Sequence, residues 1–399
     1  MKELSEETRR FVEAHRGENV RALALQAGKY PGVDMPEAVV QIAGWQIARK
    51  KIPSWADVPG LFYPKHLSME QCSSELTARY KASLAEGDSF ADLTAGFGVD
   101  FSFIARRFCQ ADYVERQEEL CRLAAHNFPL LGLGHVRIHC ADALACLERM
   151  NPVDCLFLDP ARRDGHGGKT VAIADCEPDV CALEPLLVEK GRTVMIKLSP
   201  MLDIASALRD LTCVRRIHVI AAGGECKELL LVLRRQPDEA EREAGEAIIT
   251  CVQLTDDGLS QSLSFTYSEE RAADCPMADS VGLYLYEPGA SLLKAGAYRL
   301  LASRCGVRKL HPNSHLYTSE EKVDFPGRRF RVDAVSGFGK KESKTFLSAV
   351  EKANLTVRNF PSSVAELRKK LKLKEGGDVY IFATTLNDGR RVLIKCTKV

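Results

Sequence analysis

The feature that most constrains the fold is a regular alternation of apolar strands and amphipathic helices between residues 89 and 198. Helical patterns separate the predicted strands, which span residues 89–93, 111–115, 135–140, 153–158 and 193–198. Strands that alternate with helices pair in parallel, because each helix carries the chain back across the sheet. The sequence therefore predicts a doubly wound α/β sheet. Two further strands, at 215–221 and 229–233, are joined by Gly223-Gly224 and predict an antiparallel end.

A glycine turn joins the first predicted strand to the first helix, over Asp92-Leu93-Thr94-Ala95-Gly96-Phe97-Gly98-Val99-Asp100. Gly96 and Gly98 allow a tight turn that brings backbone amides close to a ligand. Phe101 occupies the position of the third glycine in the fingerprint G-x-G-x-x-G, and there is no G-x-x-x-x-G-K-[ST] motif. The pattern therefore favours a nucleotide-like cofactor and disfavours both an NAD dehydrogenase and an ATPase.

Acidic residues recur at the carboxyl ends of the predicted strands, where open α/β sheets bind ligands. Asp92 and the loop 94–98 are placed to contact the amino-acid part of a cofactor. Glu115 suits the hydroxyls of a ribose, and Asp142-Ala143 suits an adenine amine. Asp159-Pro160 ends the fourth strand and would face the reacting group. Each residue alone is equally well a polar strand terminus, but four in this order favour a cofactor site.

In this order, the motifs resemble those of class I S-adenosylmethionine-dependent methyltransferases. The chain more closely resembles a bacterial group that joins such a domain to a ferredoxin-like piece and a C-terminal THUMP-like domain. Four segments carry this resemblance: Glu70-Gln71-Cys72-Ser73-Ser74-Glu75, Asp159-Pro160-Ala161-Arg162-Arg163, Lys197-Leu198-Ser199-Pro200 and Glu225-Cys226-Lys227-Glu228-Leu229-Leu230. The resemblance implies a Rossmann-like methyltransferase sheet, S-adenosyl-L-methionine as cofactor and an activity of class EC 2.1.1.-. It implies a cofactor site built from Asp92, Thr94, Ala95, Gly96, Gly98, Asp100, Glu115, Asp142, Ala143, Asp159 and Pro160.

Two departures from related enzymes bear on the mechanism. RNA uridine C5-methyltransferases need a cysteine nucleophile after the fifth strand, where this chain has Lys197-Leu198-Ser199-Pro200. Amino-group methylases of the [DN]-P-P-[YF] type stack the base on an aromatic residue, which Ala161-Arg162 replaces here. The sequence therefore predicts direct transfer to a nitrogen or oxygen without a covalent intermediate, with Asp159 as hydrogen-bond acceptor.

Three cationic residues have two interpretations each. Arg162 and Arg163 are suited to hold a phosphate or polarise a base carbonyl, or form an ion pair with Asp164 or Glu177. Lys197 is either a site cation or a lysine at the edge of the core. The catalytic candidates are therefore Asp159, Arg162 and Lys197. The group Glu225, Lys227 and Glu228 is interpreted as structural salt bridges.

Four regions are predicted: an N-terminal helical lobe (1–66), a methyltransferase domain (67–236), a connecting ferredoxin-like region (237–326) and a basic THUMP-like α+β domain (327–399). The acidic run 237–243 marks a boundary or an exposed turn. Further along, residues 284–304 are predicted to be rich in helix, and residues 341–353 to form one helix.

The net charge of +1 conceals a basic C-terminal segment. Residues 328–399 carry 17 Lys and Arg against 7 Asp and Glu, a net charge of +10, whereas the remainder carries −9. Such a segment is typical of an appendage that binds a polyanion, and we expect structured RNA, of ribosomal or transfer type, as the partner. A solvated lysine-rich surface is the alternative interpretation.

The composition also excludes several classes of site. The 14 cysteines include no C-x-x-C pair, so neither a zinc site nor a disulfide framework is expected. The sequence contains no apolar run of the ~20 residues needed to span a bilayer, and the N-terminus is polar. We therefore expect a cytoplasmic enzyme without a metal or membrane partner. A methyltransferase acting on protein or a small molecule, and a catalytically silent RNA-binding protein that keeps the cofactor fold, remain alternatives.

Overall fold

The computed structural model of the 399-residue chain describes residues 4–162, 173–258, 260–348 and 350–399. The chain divides into two compact units. The first comprises Met1–His218, Glu228–Ala247 and Leu254–Leu259, and the second comprises Val219–Lys227, Ile248–Gln253 and Ser260–Val399.

The first unit begins with the predicted helical lobe. Its helices are α1 (Glu6–Ala14), α2 (Val20–Ala24), α3 (Met35–Lys51) and α4 (Pro53–Ala56), with a 3₁₀ turn at Ala27–Lys29. Two further helices, α5 (His66–Gln71) and α6 (Glu75–Leu84), follow the predicted lobe and lead to the sheet. Asp34 begins α3 by accepting a hydrogen bond from the Glu37 amide at 3.4 Å. Phe11, Leu23 and Ile42 pack into a shared hydrophobic cluster. The lobe is therefore held by its own small core.

The elements that follow include the predicted sheet and a separate two-stranded pair formed by Ala161–Arg162 and Cys176–Glu177. They are β1 (Ser89–Asp92), α7 (Val99–Ala105), β2 (Gln110–Glu115), α8 (Glu118–Leu130), β3 (Val136–Cys140), α9 (Ala143–Arg149), β4 (Val153–Leu158), β5 (Ala161–Arg162), β6 (Cys176–Glu177), α10 (Val180–Lys190), β7 (Gly191–Leu198), α11 (Ile204–Asp210), β8 (Val214–Ala222), β9 (Glu225–Leu233) and α12 (Glu239–Ala244), with a 3₁₀ turn at Ile173–Asp175.

The strand order in this unit is β8-β9-β7-β4-β1-β2-β3. Neighbouring strands from β7 to β3 are parallel, and β9 is antiparallel to β7. Both the doubly wound sheet and its antiparallel end are therefore confirmed. Parallel pairing brings the carboxyl ends of β1, β2, β3, β4 and β7 to one edge, which is where ligands bind in such sheets.

Phe101, at the position of the missing third glycine, belongs to an aromatic core beneath that edge. Its ring stacks on Phe90 at 5.5 Å and on Phe128 at 5.3 Å, measured between centroids. It also meets Tyr113 edge to face at 5.4 Å. A glycine at this position would leave a cavity in the aromatic core. Packing therefore explains why the chain has phenylalanine where the fingerprint G-x-G-x-x-G has its third glycine.

The acidic run 237–243 forms most of α12 rather than an exposed turn. Asp238 and Glu241 close a capping box at its start. The Glu241 carboxylate is buried and lies 2.8 Å from Arg216 and 2.9 Å from Arg234. These ion pairs fix the helix to the ends of β8 and β9, so the prediction of an exposed turn is wrong.

The second unit contains the remaining elements. They are β10 (Ile248–Leu254), β11 (Ser260–Phe265), α13 (Tyr267–Ala272), β12 (Tyr284–Pro288), α14 (Ala290–Ala295), α15 (Arg299–Cys305), β13 (Arg308–Lys309), β14 (Tyr317–Ser319), β15 (Gly327–Gly337), α16 (Lys340–Phe346), β16 (Asn354–Arg358), α17 (Val364–Leu371), β17 (Val379–Thr385) and β18 (Arg391–Lys398).

Strands β12 to β18 form a seven-stranded sheet in the order β13-β14-β12-β15-β18-β17-β16. Alternate residues of β17 belong to different hydrophobic clusters, with Phe382 in one and Ile381 and Ala383 in the other. This period of two shows that both faces of the sheet are covered. Leu367 of α17 packs into the same cluster as Ile381. The α+β character predicted for this region is confirmed.

The stretch 284–304 is rich in helix as predicted, with α14 and α15, although it begins with the strand β12. One local prediction needs correction. The helix predicted over 341–353 ends at Phe346. In the part of the chain that the structure describes, no helix combines the length and the apolar character needed to cross a membrane.

Candidate active site

The four acidic residues singled out in the sequence lie at the same edge of the first unit's sheet. Asp92 and Glu115 are the last residues of β1 and β2. Asp142 follows the end of β3 by two residues, and Asp159 directly follows β4. Their predicted position at strand ends is confirmed, and the parallel registers bring the four together.

The glycine turn between β1 and α7 depends on backbone conformations that favour glycine. Gly96 has φ +56° and Gly98 has φ +84°, both in the left-handed region. The Ala95 amide donates to the Val114 carbonyl at 3.0 Å, and this bond ties the turn to β2. A Cβ atom on Gly98 would lie 2.9 Å from Cζ of Phe128. The turn is therefore closely packed against the aromatic core.

This packing predicts that Gly98→Ala destabilises the protein by about 2 to 3 kcal/mol, because the left-handed strain adds to the contact with Phe128. Gly132 is the matched control, since it has φ +75° but nothing within 4 Å of an added Cβ. Gly132→Ala should cost only about 1 kcal/mol, the strain alone. Urea denaturation of both variants measures the difference. Equal losses would show that the contact with Phe128 is relieved at little cost.

The Asp92 carboxylate lies beneath the turn and is only 1% exposed. It accepts a hydrogen bond from the Thr94 amide at 3.0 Å. Burial raises the pKa of Asp92 well above its usual range, and the nearby charges of Asp100 and Asp159 raise it further. Asp92 therefore holds the start of the turn. A cationic ligand or a further hydrogen-bond donor would stabilise its buried carboxylate in the charged form.

Glu115 is joined to the turn by hydrogen bonds from two backbone amides. Oε2 accepts from the Gly96 amide at 3.0 Å, and Oε1 accepts from the Gln117 amide at 2.8 Å. A carboxylate has about four lone-pair sites, so each oxygen retains capacity for a further donor. Glu115 thus connects the end of β2 to the turn.

Asp142 caps the following helix. Its Oδ1 atom accepts from the amides of Leu144 at 3.0 Å and Ala145 at 3.1 Å, so α9 begins at Ala143. The side chain is exposed at the sheet edge. Capping fixes the carboxylate at this position.

Asp159 is held by both its backbone and its side chain. Its amide donates to Oγ1 of Thr94 at 2.6 Å, which joins the end of β4 to the glycine turn. Its carboxylate forms an ion pair with Nζ of Lys197, at the end of β7. Pro160, which follows, is buried. The structure therefore brings together Thr94, Asp159, Pro160 and Lys197 from three predicted segments.

Lys197 has acidic partners on two sides. Burial alone would lower its pKa, but the carboxylates of Asp159, Asp100 and Glu228 raise the pKa above its usual value. Nζ lies 3.5 Å from Oδ2 of Asp100. These contacts keep the ammonium charged at neutral pH.

A buried charge network extends from Lys197 away from Asp159. Lys81 on α6 is fully buried, and its Nζ lies 3.0 Å from Oδ1 of Asp100 and 2.5 Å from Oε1 of Glu228. Ser73 donates to Oδ2 of Asp100 at 2.6 Å and accepts from Lys81 at 3.0 Å. Burial would raise the pKa of Asp100, but Lys81 and Lys197 outweigh it and hold the pKa below its usual value.

The network unites the segments that carry the family resemblance. Ser73, Asp159, Lys197 and Glu228 each come from a different one of the four motifs quoted above. The interpretation of Glu228 as a structural salt bridge is confirmed, and so is that of Glu225 and Lys227, which pair on the surface at 2.7 Å. Asp100, predicted to bind cofactor, has its carboxylate engaged with Lys81, Ser73 and Lys197.

Sequence reasoning missed Lys81. The buried face of α6 is formed by Thr77, Ala78, Lys81 and Ala82. A lysine in the middle of an otherwise small and apolar stripe is the signal that could have identified it, because a buried ammonium requires buried anions nearby.

Arg162 is described as part of β5, where it pairs with Cys176. Its side chain, and the whole of Arg163 and Asp164, lie outside the described residues. Glu177, the other partner considered for these arginines, lies 3.2 Å from Arg116. Among the described residues, no group of three or more His, Cys, Asp or Glu side chains could hold a metal ion.

The helical lobe contacts the glycine turn directly. Phe97 inserts between Trp55, at 5.1 Å, and Tyr63, at 6.5 Å, measured between ring centroids. Asn127 of α8 exchanges two hydrogen bonds with the backbone of Phe62 at 2.8 and 2.9 Å. The lobe therefore supports the turn from outside the sheet.

Two family models match the second unit: a ferredoxin-like domain over residues 284–326 and a THUMP domain-like family over residues 327–398. Among solved structures, a "putative methyltransferase" from Porphyromonas gingivalis W83 is 36% identical, with 98% of this chain and 97% of that chain covered and a TM-score of 0.87.

Weaker matches include a "putative class I S-adenosylmethionine-dependent methyltransferase" from Listeria monocytogenes, 12% identical over 62% of this chain and 93% of that chain, with a TM-score of 0.39. A protein from Streptococcus mutans in complex with SAH is 12% identical over 40% of this chain and 95% of that chain, with a TM-score of 0.30. At these scores the likeness supports no inference about function. No match was found among curated proteins.

Proposed function

This chain belongs to the family of the Porphyromonas gingivalis protein, and we propose that it is an S-adenosylmethionine-dependent methyltransferase acting on a base nitrogen, or another nitrogen or oxygen atom, of structured RNA. The observation that carries the proposal is the edge of the sheet in the first unit. There Asp92, Glu115, Asp142 and Asp159 surround a glycine turn, and Thr94 joins that turn to Asp159.

The charge of this edge fits the cofactor. Five carboxylates lie there: Asp92 and Glu115 end their strands, Asp142 and Asp159 follow theirs, and Asp100 lies in the first turn of the helix after the glycine turn. Lys197 and Lys81 are engaged with acidic partners, so the edge does not suit a triphosphate. A ligand with a sulfonium, an ammonium and ribose hydroxyls supplies the cations and donors that such a set of acceptors requires.

Each predicted contact has a physical reason in these residues. The remaining acceptor capacity of Glu115 suits the two hydroxyls of a ribose. Asp142, held as a helix cap, suits an adenine amine, and the turn 94–98 with Asp92 suits the amino-acid end. The bound cofactor supplies an electrophilic methyl group on a positively charged sulfur.

The residues of the chain position the nucleophile. Lys197 fixes the Asp159 carboxylate, and Thr94 fixes its backbone, so an oxygen of Asp159 can accept a hydrogen bond from an amino or imino group of the substrate. No cysteine replaces Ser199 after β7, which supports direct transfer. The nitrogen lone pair would attack the methyl carbon as the bond of that carbon to sulfur breaks, and the Asp159 carboxylate is placed to accept the proton that the nitrogen then loses.

RNA is supported by the charge of the second unit's C-terminal part and by its family match. Residues 328–399 carry a net charge of +10, and residues 327–398 match the THUMP domain-like family. A polyanion neutralises such a surface and releases counterions when it binds. A protein or a small metabolite as substrate gives no comparable reason for this charge.

The cofactor is tested by calorimetry on the full chain. We expect Glu115→Ala to weaken S-adenosylmethionine binding roughly 30-fold, about 2 kcal/mol, because it removes charged acceptors and loosens the turn. Glu119→Ala is the matched control, since Glu119 is an exposed residue in the first turn of α8. Equal affinity in both variants, or no binding by the unaltered protein, would count against the site.

The substrate class is tested by mass spectrometry of nucleosides from a strain that lacks the gene. One methylated nucleoside should disappear from ribosomal or transfer RNA and return with the unaltered gene. An unchanged nucleoside profile, together with methyl transfer to protein or metabolites, would favour the other substrate classes. Cofactor binding without transfer to any of these pools would favour a catalytically silent RNA-binding protein.

A further inference from the structure

Two arginines in the second unit share one buried carboxylate. Glu287 of β12 is 3% exposed. Arg328, its register partner in β15, donates from Nε to Oε2 at 2.6 Å. Arg358, the last residue of β16, donates from Nε to Oε1 at 3.0 Å, and its Nη2 lies 2.8 Å from the same oxygen. The group carries one net positive charge.

Both guanidinium groups keep donors for another acceptor. The side chain of Arg328 is 44% exposed and that of Arg358 is 38% exposed, whereas that of Glu287 is 4% exposed. Each guanidinium has five N–H donors, of which Arg328 uses two on Glu287. Arg358 uses Nε and Nη2 on Glu287 and Nη1 on the Val357 carbonyl. Glu287 therefore fixes two half-exposed guanidinium groups and leaves part of each directed elsewhere.

The residue after Arg358 is also held in an unusual conformation. Asn359 has φ +50°, which is uncommon for a residue other than glycine. Its carbonyl accepts from Thr385 at 2.7 Å, and its amide group lies 2.9 Å from Nδ1 of His311. The Asn313 amide donates to the same Nδ1 at 3.0 Å, so the neutral His311 ring carries its proton on Nε2. Contacts with Glu287, Thr385 and His311 thus hold residues 358 and 359 in place.

We propose that Arg328 and Arg358, fixed by Glu287, form a clamp for a phosphate group of the RNA substrate. The inference rests on the proposed RNA substrate and identifies a site on the second unit that holds it. Guanidinium groups suit phosphate because their planar forks donate two parallel hydrogen bonds. A clamp that is already fixed loses little side-chain entropy when it binds.

The lysines of the same module are a contrasting source of charge. Lys369, Lys372 and Lys374, near the end of α17, are exposed, and no hydrogen bond or ion pair to their side chains is found in the described part of the chain. Flexible lysines contribute to general attraction of a polyanion, whereas the clamp fixes the position of one phosphate. The two contributions can be separated by substitutions that keep the charge.

The clamp must also be separated from a purely structural role in joining β12, β15 and β16. Removal of the fork of either arginine leaves Glu287 paired with the other, so the fold should tolerate single substitutions. Thermal unfolding of each variant verifies this. The decisive measurement is RNA affinity, because a structural tie alone would change the unfolding temperature without changing RNA binding by folded protein.

The experiment measures binding of the full chain to total transfer and ribosomal RNA fractions from the deletion strain, at several salt concentrations. Arg358→Lys keeps the charge and removes the fork, and we expect roughly a tenfold loss of affinity. Arg390→Lys is the matched control, because Arg390 is an exposed arginine of the same module paired with Asp388 at 2.6 Å. The affinity of this variant for RNA should be unchanged. Glu287→Gln raises the net charge by one, so general attraction predicts tighter binding, whereas loss of the fixed clamp predicts weaker binding.

Each outcome has one meaning. Weaker binding by Arg358→Lys and Glu287→Gln, with Arg390→Lys unchanged, supports the clamp. If the unaltered protein binds RNA with the expected salt dependence but Arg358→Lys binds equally well, the clamp is wrong and the RNA proposal stands. If the unaltered protein binds neither fraction, the RNA proposal itself fails, and the clamp fails with it.

Discussion

Asp159→Asn is expected to lower methyl transfer to RNA about 1000-fold, within the range that a positioned hydrogen-bonding or acid–base group contributes. Asparagine keeps the size of the side chain but replaces one acceptor oxygen with a donor. It also removes the charge that pairs with Lys197. The nucleophile then loses the group that orients it, and Lys197 loses its partner beside the reacting atoms. The measurement is transfer of labelled methyl groups from S-adenosylmethionine to RNA from the deletion strain.

The control for this prediction is Asp154→Asn, at the opposite end of β4. Asp154 accepts hydrogen bonds from the amides of Asp88 and Ser89 at 2.9 and 3.1 Å, away from the strand's carboxyl end. Its variant should transfer methyl groups at nearly the normal rate per folded molecule. Cofactor affinity measured by calorimetry should fall far less than the rate in Asp159→Asn, since the larger loss is expected in the chemical step. A rate within tenfold of normal would rule out the positioning role of Asp159.

Lys197→Met separates the two parts of this arrangement. The variant keeps the Asp159 carboxylate and removes the ammonium that orients it. Rates lowered in both variants, with no further loss in the double variant, would show that the two residues act as one unit.

Much of the sheet in the first unit could be predicted from the sequence, because strand and helix periodicities are local. The apolar run of β4 and the glycine turn after β1 carry their own signals, and the parallel pairing of the strands follows from their alternation with helices. Asp92, Glu115, Asp142 and Asp159 could be placed together for the same reason. The carboxyl ends of parallel strands must share one edge.

The partners of these residues could not be predicted, because they depend on contacts between distant segments. Lys81 and Glu228 are separated by 147 positions, and Arg358 and Glu287 by 71. No spacing rule links such pairs. A charged residue on a buried helix face indicates that a partner exists without identifying it. Phe101 likewise breaks a glycine fingerprint for a reason visible only when Phe90 and Phe128 are seen to stack on it.

The buried network beneath the site predicts a large effect on stability. Lys81→Met should lower the free energy of unfolding by about 3 to 5 kcal/mol, the usual cost of removing one partner from a buried ion pair. Lys81 is fully buried between Asp100 and Glu228, and methionine fills a similar volume without the charge. Asp100 and Glu228 would then share the neighbouring cation Lys197 with Asp159. Urea denaturation at neutral pH measures the loss.

The pH dependence of this loss tests its electrostatic origin. In the unaltered protein, Lys81 and Lys197 hold the pKa of Asp100 below its usual value despite burial. Asp100 therefore stabilises the folded protein at pH values above its pKa in the unfolded chain, and this stabilisation is lost as the pH falls through its pKa in the folded protein. Without Lys81, burial prevails and the pKa of Asp100 rises. The variant then gains stability relative to the unaltered protein as the pH falls from 7 to about 5.

A double variant and a surface variant complete this test. Lys81→Met with Glu228→Gln removes the charge left unpaired and should recover part of the lost stability, because an apolar or neutral replacement of both partners costs less than loss of one. Lys227→Met removes an exposed lysine that pairs with Glu225 and should change stability little. A deficit in Lys81→Met that stays constant between pH 7 and 5 would instead indicate lost packing. The burial of unpaired carboxylate charge would then not be the cause of the deficit. Lys81 would stabilise the protein through packing rather than through its charge.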